Sequence, residues 1–142
     1  MSRIAHMKVG PLFTPPSIEG TVTLPGLWGC VNWGGGAFWP NRHLLITKTS
    51  EVASASTVVP SSPLGYTHEG STELISKAGL PVSGPPFGRL VAVDIAAAAI
   101  RWATTFGDWT AVRENPELAG VGLPPIGVPG PPGPISWIDI IW

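Results

Sequence analysis

Short apolar runs separated by turn residues dominate this chain. Residues Thr21–Leu24 form a strand-length run that ends at a Pro-Gly turn, and Ala37-Phe38 begin another that stops before a second proline. Leu44–Thr49 is rich in β-forming residues, so it is predicted to be the partner strand after that turn. Val52–Val59 is predicted to be a further, weaker strand. These lengths favour sheets over long helices.

The clearest hairpin lies later in the chain. Arg89–Ile95 alternates side chains between two faces and is predicted to be a strand buried on at least one of them. Ile100–Thr104 returns and carries a large aromatic, Trp102. The intervening Ala96–Ala99 also suits a local helical turn. We favour the hairpin, although its turn has Ala98 and no glycine, which would adopt a positive φ at lower cost.

Composition narrows the classes of protein that fit this pattern. Gly 18 and Pro 17 indicate many turns, whereas 44% hydrophobic residues and seven Trp argue against a disordered chain. A formal net charge of -1 with 12% charged residues provides no basic field, so nucleic acid is not an expected partner. Glycine and proline are spaced through residues 60–84, which predicts an insertion loop there.

The segment Leu24–Phe38 holds the most distinctive candidate chemistry. An amide and an indole, Asn32 and Trp33, stand side by side between glycines that allow a flat ligand to approach the backbone. A purely structural role is the alternative, in which Trp33 packs in the core and Asn32 caps a turn. The single Cys30 is predicted to be a buried, inert thiol. The three histidines are isolated and do not have the spacing of metal ligands.

Several segments together resemble the quinoprotein dehydrogenases that use pyrroloquinoline quinone (PQQ). The resemblance is to their membrane-bound branch, which acts on glucose, other sugars, polyols or quinate. It covers most of the chain and is weakest from about Ser50 to Lys77. The matching segments are Pro11–Thr21, Leu24-Pro25-Gly26, Asn32-Trp33-Gly34-Gly35, Gly79-Leu80-Pro81, Pro85–Trp102 and Gly133-Pro134-Ile135-Ser136.

The resemblance implies an all-β fold, a partial β-propeller of about two to three four-stranded blades out of eight. A blade takes roughly 40 to 50 residues, so 142 residues do not close a ring. On this basis residues 11–59 are predicted to be a blade with the Asn-Trp motif, and 60–84 an insertion loop. Residues 85–110 are predicted to be a blade hairpin in which Trp102 docks against a neighbouring sheet. Residues 111–142 then connect into a truncated next blade.

The resemblance also implies an activity, in which the complete enzyme oxidises a sugar or alcohol with PQQ and passes electrons to a quinone acceptor. Asn32 and Trp33 would line the cofactor. Calcium and a catalytic base would come from other blades, so no catalytic or metal-binding residue is assigned in this chain. The implied location is the periplasm or the periplasmic face of the inner membrane, although no signal or membrane span is read in this sequence.

Two alternatives stay open at this point. The chain is expected to be a fragment that is inactive alone, and one alternative makes it a chain of a split propeller completed by a partner polypeptide. The other makes it a non-enzymatic β-sheet interaction module that binds protein through exposed strand edges. Departures from the family pattern, such as Trp39 in place of an aspartate that would cap the next turn, are typical of a divergent copy.

Overall fold

A computed structural model of the chain describes residues 4–32 and 34–130, together with the backbone of 136–137 and 140–141. These residues are almost entirely strands and turns, which confirms the all-β prediction. The strands are β1 Thr21–Thr23, β2 Gly36–Trp39, β3 Leu44–Ser50, β4 Ser54–Ser61, β5 Gly65–Glu73, β6 Gly88–Asp94, β7 Ala99–Thr105, β8 Ser136–Trp137 and β9 Ile140–Ile141. The one-turn helix α1 spans Thr110–Arg113, and 3-10 turns span Pro40–Arg42 and Pro116–Leu118.

The chain divides into two compact units. The first unit consists of Met1–Leu27 and Val52–Ser83. It contains a three-stranded antiparallel sheet in the order β1-β4-β5. Its small core is built from Ala53, Ala55 and Leu74, which are buried and are covered in part by other apolar side chains of the same unit.

The second unit consists of Trp28–Glu51 and Gly84–Trp142. It contains a four-stranded antiparallel sheet in the order β2-β3-β6-β7. Leu44, Ile46 and Ala92 form its buried cluster, on one face of the sheet because alternate residues of a strand share a face. Strand count and antiparallel pairing are those expected for a propeller blade.

This sheet joins strands that the sequence analysis places in separate segments. β2 and β3 come from the predicted 11–59 blade, whereas β6 and β7 come from the predicted 85–110 hairpin. All seven residues of β3 pair with β6. β2 pairs only with Leu44–Thr47, so β6 is the strand that pairs with the remaining residues of β3, which are buried.

The prediction of an insertion loop over 60–84 is wrong for residues 65–73, which form β5. β5 pairs antiparallel with β4, and a short turn joins the two strands. The glycines Gly65 and Gly70 in a polar segment gave β5 the composition of a loop. Its Tyr and Thr residues are β-formers, and pairing with β4 outweighed the weak local signal.

The hairpin over residues 89–104 is confirmed, and the helical alternative for the alanine turn is wrong. Asp94 Oδ1 accepts hydrogen bonds from the backbone N–H groups of Ala96 (3.1 Å) and Ala97 (3.0 Å), and so caps the turn. Ala98 has a φ of 50°, in the left-handed region that glycine adopts at lower cost. The docking aromatic Trp102 lies on β7 with 36% of its surface exposed, and its contact with a neighbouring sheet stays a prediction.

One buried charge stands out in the four-stranded sheet. Lys48 on β3 is only 5% exposed, and its Nζ donates a 2.7 Å hydrogen bond to the Gly130 carbonyl. The ammonium also lies 5.8 Å from the ring centroid of Phe106. Burial lowers the pKa of Lys48 from its ordinary value, because removing the ammonium from water disfavours the charged form.

Replacing Ala98 with glycine should stabilise the protein. Glycine adopts the left-handed conformation without a Cβ clash, and we expect a gain of about 0.5–1 kcal/mol in the free energy of unfolding. Urea denaturation followed by Trp fluorescence measures this change. The matched control is Ala97→Gly in the same turn. Ala97 does not have a positive φ, so this variant should be neutral or less stable than the wild type.

Replacing Lys48 with methionine should change how stability depends on pH. Because the pKa of Lys48 is lower in the folded state, the unfolded chain binds more protons between that value and about 10.4, and the free energy of unfolding rises with pH there. Urea denaturation between about pH 7 and pH 10 should show this rise in the wild type and a smaller one in Lys48→Met. The control Lys77→Met removes an exposed lysine. Equal slopes for the wild type and Lys48→Met would contradict the prediction.

Candidate functional site

The predicted Asn-Trp segment forms a short loop attached to β3 at two points. The backbone N–H of Ser50 donates a 2.9 Å hydrogen bond to the Cys30 carbonyl. Further along, the Thr47 hydroxyl donates a 3.0 Å hydrogen bond to the Gly35 carbonyl. The loop therefore spans the second half of β3, and its ends are fixed by a strand that is itself buried.

Within the loop, a tight turn places the predicted amide. The backbone N–H of Gly35 donates a 3.0 Å hydrogen bond to the carbonyl of Asn32. Asn32 is half-buried, which is consistent both with lining a ligand and with stabilising the turn. Trp33, the other predicted cofactor-lining residue, lies outside the described residues.

The glycines beside the turn leave open space. Gly29 and Gly35 have φ values of 65° and 69°, and a Cβ added at either position would meet no heavy atom of the described residues within 4 Å. Their conformation explains why glycine suits both positions, while the empty surroundings leave the loop surface accessible to a flat molecule. Cys30 is exposed, so the prediction of a buried thiol is wrong.

Lys48 is a feature of this region that the sequence analysis missed. It lies on β3 between the two attachment points of the loop, and both Lys48 and Ser50 contact the backbone of Gly130. The sequence contained a signal for it. Leu44, Ile46 and Lys48 alternate along one strand, so a cation shares a face with two apolar residues.

The chemistry of these residues is compatible with one edge of a planar, acidic cofactor such as PQQ. An Asn amide can donate to a quinone or carboxylate oxygen, and the exposed glycine backbone allows close approach of a ring system. The ammonium of Lys48 is buried and its hydrogen bond is directed at Gly130, so it is not assigned to this loop. The described part of the loop supplies few side-chain donors, the amide of Asn32 and the indole N–H of Trp28, so a complete site needs additional groups.

Asp108, an acidic residue elsewhere in the second unit, has a structural role. Arg113 forms an ion pair and two hydrogen bonds with Asp108, and it also donates to the carbonyls of Leu123 (3.1 Å) and Pro124 (2.8 Å). The hydrogen bond from Arg113 is the main reason that the pKa of Asp108 lies below its ordinary value. A carboxylate held in this way is a weak candidate for a general base.

Metal-ligand clusters, membrane-spanning helices and clefts are further features that could indicate a function. Within residues 4–32 and 34–130, no group of three or more His, Cys, Asp or Glu side chains is placed to hold a metal ion. No helix in the described part of the chain is long and apolar enough to cross a bilayer. The first unit has a cleft of about 360 Å³, lined by residues that include Met7, Leu74 and Lys77 but none of residues 28–35.

Comparison with known proteins identifies the family. The family described as "PQQ: Glucose/ethanol/alcohol dehydrogenase, beta-propeller domain" matches residues 1–138. The chain is 28% identical over 158 residues to "Quinoprotein glucose dehydrogenase A" of Acinetobacter calcoaceticus, covering 96% of this chain and 19% of the relative. It is also 28% identical over 155 residues to "Quinate/shikimate dehydrogenase (quinone)" of Acinetobacter baylyi, covering 92% of this chain and 19% of the relative. No solved structure gives a significant match.

The match confirms the resemblance and the predicted fold class. The chain spans about a fifth of the length of these relatives. Its open antiparallel sheets are consistent with part of a propeller. With a family match over nearly the whole sequence, we conclude that this chain belongs to the β-propeller family of the PQQ-dependent quinoprotein dehydrogenases.

Proposed function

We propose that this chain is one part of a quinoprotein dehydrogenase that oxidises a sugar or alcohol, and that its loop over residues 28–35 lines PQQ. The observation that carries the proposal is the attachment of this loop to β3 at Ser50 and Thr47. That attachment holds a half-buried Asn32 beside open glycine backbone, within a chain whose family is defined by this cofactor.

PQQ is a planar quinone with three carboxylates, and when bound it accepts the two electrons removed from the alcohol carbon. In this proposal Asn32 donates a hydrogen bond to one of its oxygens, and Trp33 offers a second donor or an aromatic surface. The glycines let the ring system approach the backbone. The described residues thus bind and orient the cofactor and do not transfer a proton.

Other groups needed for the reaction would come from the remaining polypeptide. Calcium, held by carboxylate and amide oxygens, and a carboxylate base are proposed to lie in blades outside this chain. Residues 111–142 are proposed to lead toward those blades. The remainder would be the rest of one long polypeptide, or a separate partner polypeptide in a split propeller. Electrons would pass to a quinone acceptor, and the complete enzyme would work in the periplasm or at the periplasmic face of the inner membrane.

Replacing Asn32 with alanine should weaken PQQ binding. The experiment titrates the purified chain with PQQ in the presence of calcium and follows Trp fluorescence, with and without a co-purified polypeptide that supplies the remaining blades. Losing a hydrogen bond to a charged or quinone oxygen should raise Kd by about tenfold, which corresponds to about 1.4 kcal/mol.

The matched control is Asn41→Ala, which removes an exposed amide from the 3-10 turn and should leave Kd unchanged. Circular dichroism of all three proteins should be the same. If a folded wild-type chain is not quenched in either preparation, or if Asn32→Ala and Asn41→Ala bind PQQ equally well, Asn32 does not contact the cofactor. Saturable quenching that requires the added polypeptide would support the split or longer form of the enzyme.

A further inference from the structure

Each larger sheet has one long outer strand. β5 lies at the edge of the first unit's sheet, and β7 lies at the edge of the second unit's sheet. These strands have 9 and 7 residues, and most of their residues are exposed. A long exposed edge presents unpaired backbone N–H and C=O groups, which can template the addition of a strand from another molecule.

The opposite edges offer far less free backbone. β1 has only three residues, and the Lys8 backbone hydrogen-bonds beside it, with Val22 N–H donating to the Lys8 carbonyl at 2.9 Å. β2 has four residues. Short or covered strands are poor templates, so any strand addition among the described strands would be expected at β5 or β7.

Both outer strands contain a β-bulge, and in both the extra residue is charged. In the first sheet Thr57 pairs with Gly70 and Val58 pairs with His68, which leaves Glu69 without a partner in register. In the second sheet Ala92 pairs with Trp102 and Val93 pairs with Ile100, which leaves Arg101 as the extra residue. A bulge with a charged extra residue therefore occurs in the outer strand of both sheets, although the two sheets differ in sequence and strand order.

A charged bulge opposes pairing in two ways. The extra residue interrupts the regular spacing of backbone groups and increases the local twist, so a straight incoming strand cannot continue its ladder past it. An incoming strand would also remove water from the charge without supplying an opposite one. Two copies that approach through the same edge would bring like charges together, Glu69 against Glu69 or Arg101 against Arg101.

In β7, one charged side chain separates the strand from the composition of an aggregation-prone segment. Arg101 is the single charged residue in Ala99–Thr105, and its neighbours Ile100 and Trp102 are 68% and 36% exposed. Without that charge, β7 would be a seven-residue segment of β-forming and small residues with no net charge and no proline. This is the composition of segments that stack into intermolecular sheets.

We propose that Arg101 and Glu69 protect the two sheet edges, preventing a second copy of this chain from adding a strand to β7 or β5. The proposal is independent of whether the chain binds PQQ. Protected edges would argue against the alternative in which this protein is an interaction module that binds other proteins through its exposed strand edges.

Replacing Arg101 with threonine should cause self-association of the full chain. Sedimentation velocity and thioflavin T fluorescence, compared with the wild type at equal concentration, should show loss of the monomer and a rise in sheet-specific fluorescence. Glu69→Thr should also associate, through β5, but to a smaller extent because Glu73 remains on that strand. Arg101→Lys and Arg101→Glu keep a charge at the bulge and should remain monomeric.

The matched control is Arg42→Thr. It makes the same change in net charge at an exposed arginine in a 3-10 turn, away from any outer strand, and should remain monomeric. Circular dichroism before incubation separates edge association from aggregation of an unfolded variant. The proposal is overturned if Arg101→Thr and Glu69→Thr stay monomeric when folded. It is also overturned if Arg42→Thr or the charge-retaining variants associate equally, or if the wild type already associates through β7.

Discussion

The pairing of β3 with β6 is the interaction on which the second unit depends. All seven residues of β3 are in register with β6, although residues 51–87 separate the two strands in sequence. The entropy cost of closing such an insertion grows only logarithmically, by about 0.6 kcal/mol for each doubling of its length. A continuous ladder between β3 and β6 therefore tolerates an insertion, most of which folds together with residues 1–27 as a separate compact unit.

The candidate site exists because β3 is fixed in this way. The Asn32 loop is anchored to the backbone N–H of Ser50 and the hydroxyl of Thr47. Lys48 lies between these two anchors, on the opposite face of the strand from the Thr47 side chain, and its ammonium donates a hydrogen bond to Gly130. One strand thus positions a polar loop and a buried cation together, and a strand paired on both sides does so more rigidly than a free loop would.

The sheet faces and outer strands of this fold affect how the chain associates with other molecules. A piece of a propeller has unpartnered sheet faces and outer strands, and the two long outer strands each carry a charged bulge. With the edge protection proposed for Arg101 and Glu69, contacts with further polypeptide are expected through sheet faces, as in stacked propeller blades, and not through strand addition. The small cores of the two units, with few fully buried side chains, leave much apolar surface for such contacts.

The sequence by itself predicted several strands, the candidate loop and the family of this protein. β-forming and alternating runs predicted β3 and β6, and a returning run after a short turn predicted β7 and the hairpin. The glycines around Asn32 indicated a loop with unusual backbone angles, and the match of motifs indicated the family. Trp33 and its role in a cofactor site stay a prediction.

Only the tertiary structure decided which strands share a sheet. The partner of β3 lies beyond an insertion, and no local pattern states that distance, so the sequence analysis divided one sheet between two segments. β5 was missed because its polar, glycine-containing sequence forms a strand only when β4 supplies hydrogen bonds. The bulges at Glu69 and Arg101 and the burial of Lys48 likewise depend on register. Register is fixed by the summed packing and hydrogen bonds of whole strands, which no single residue encodes.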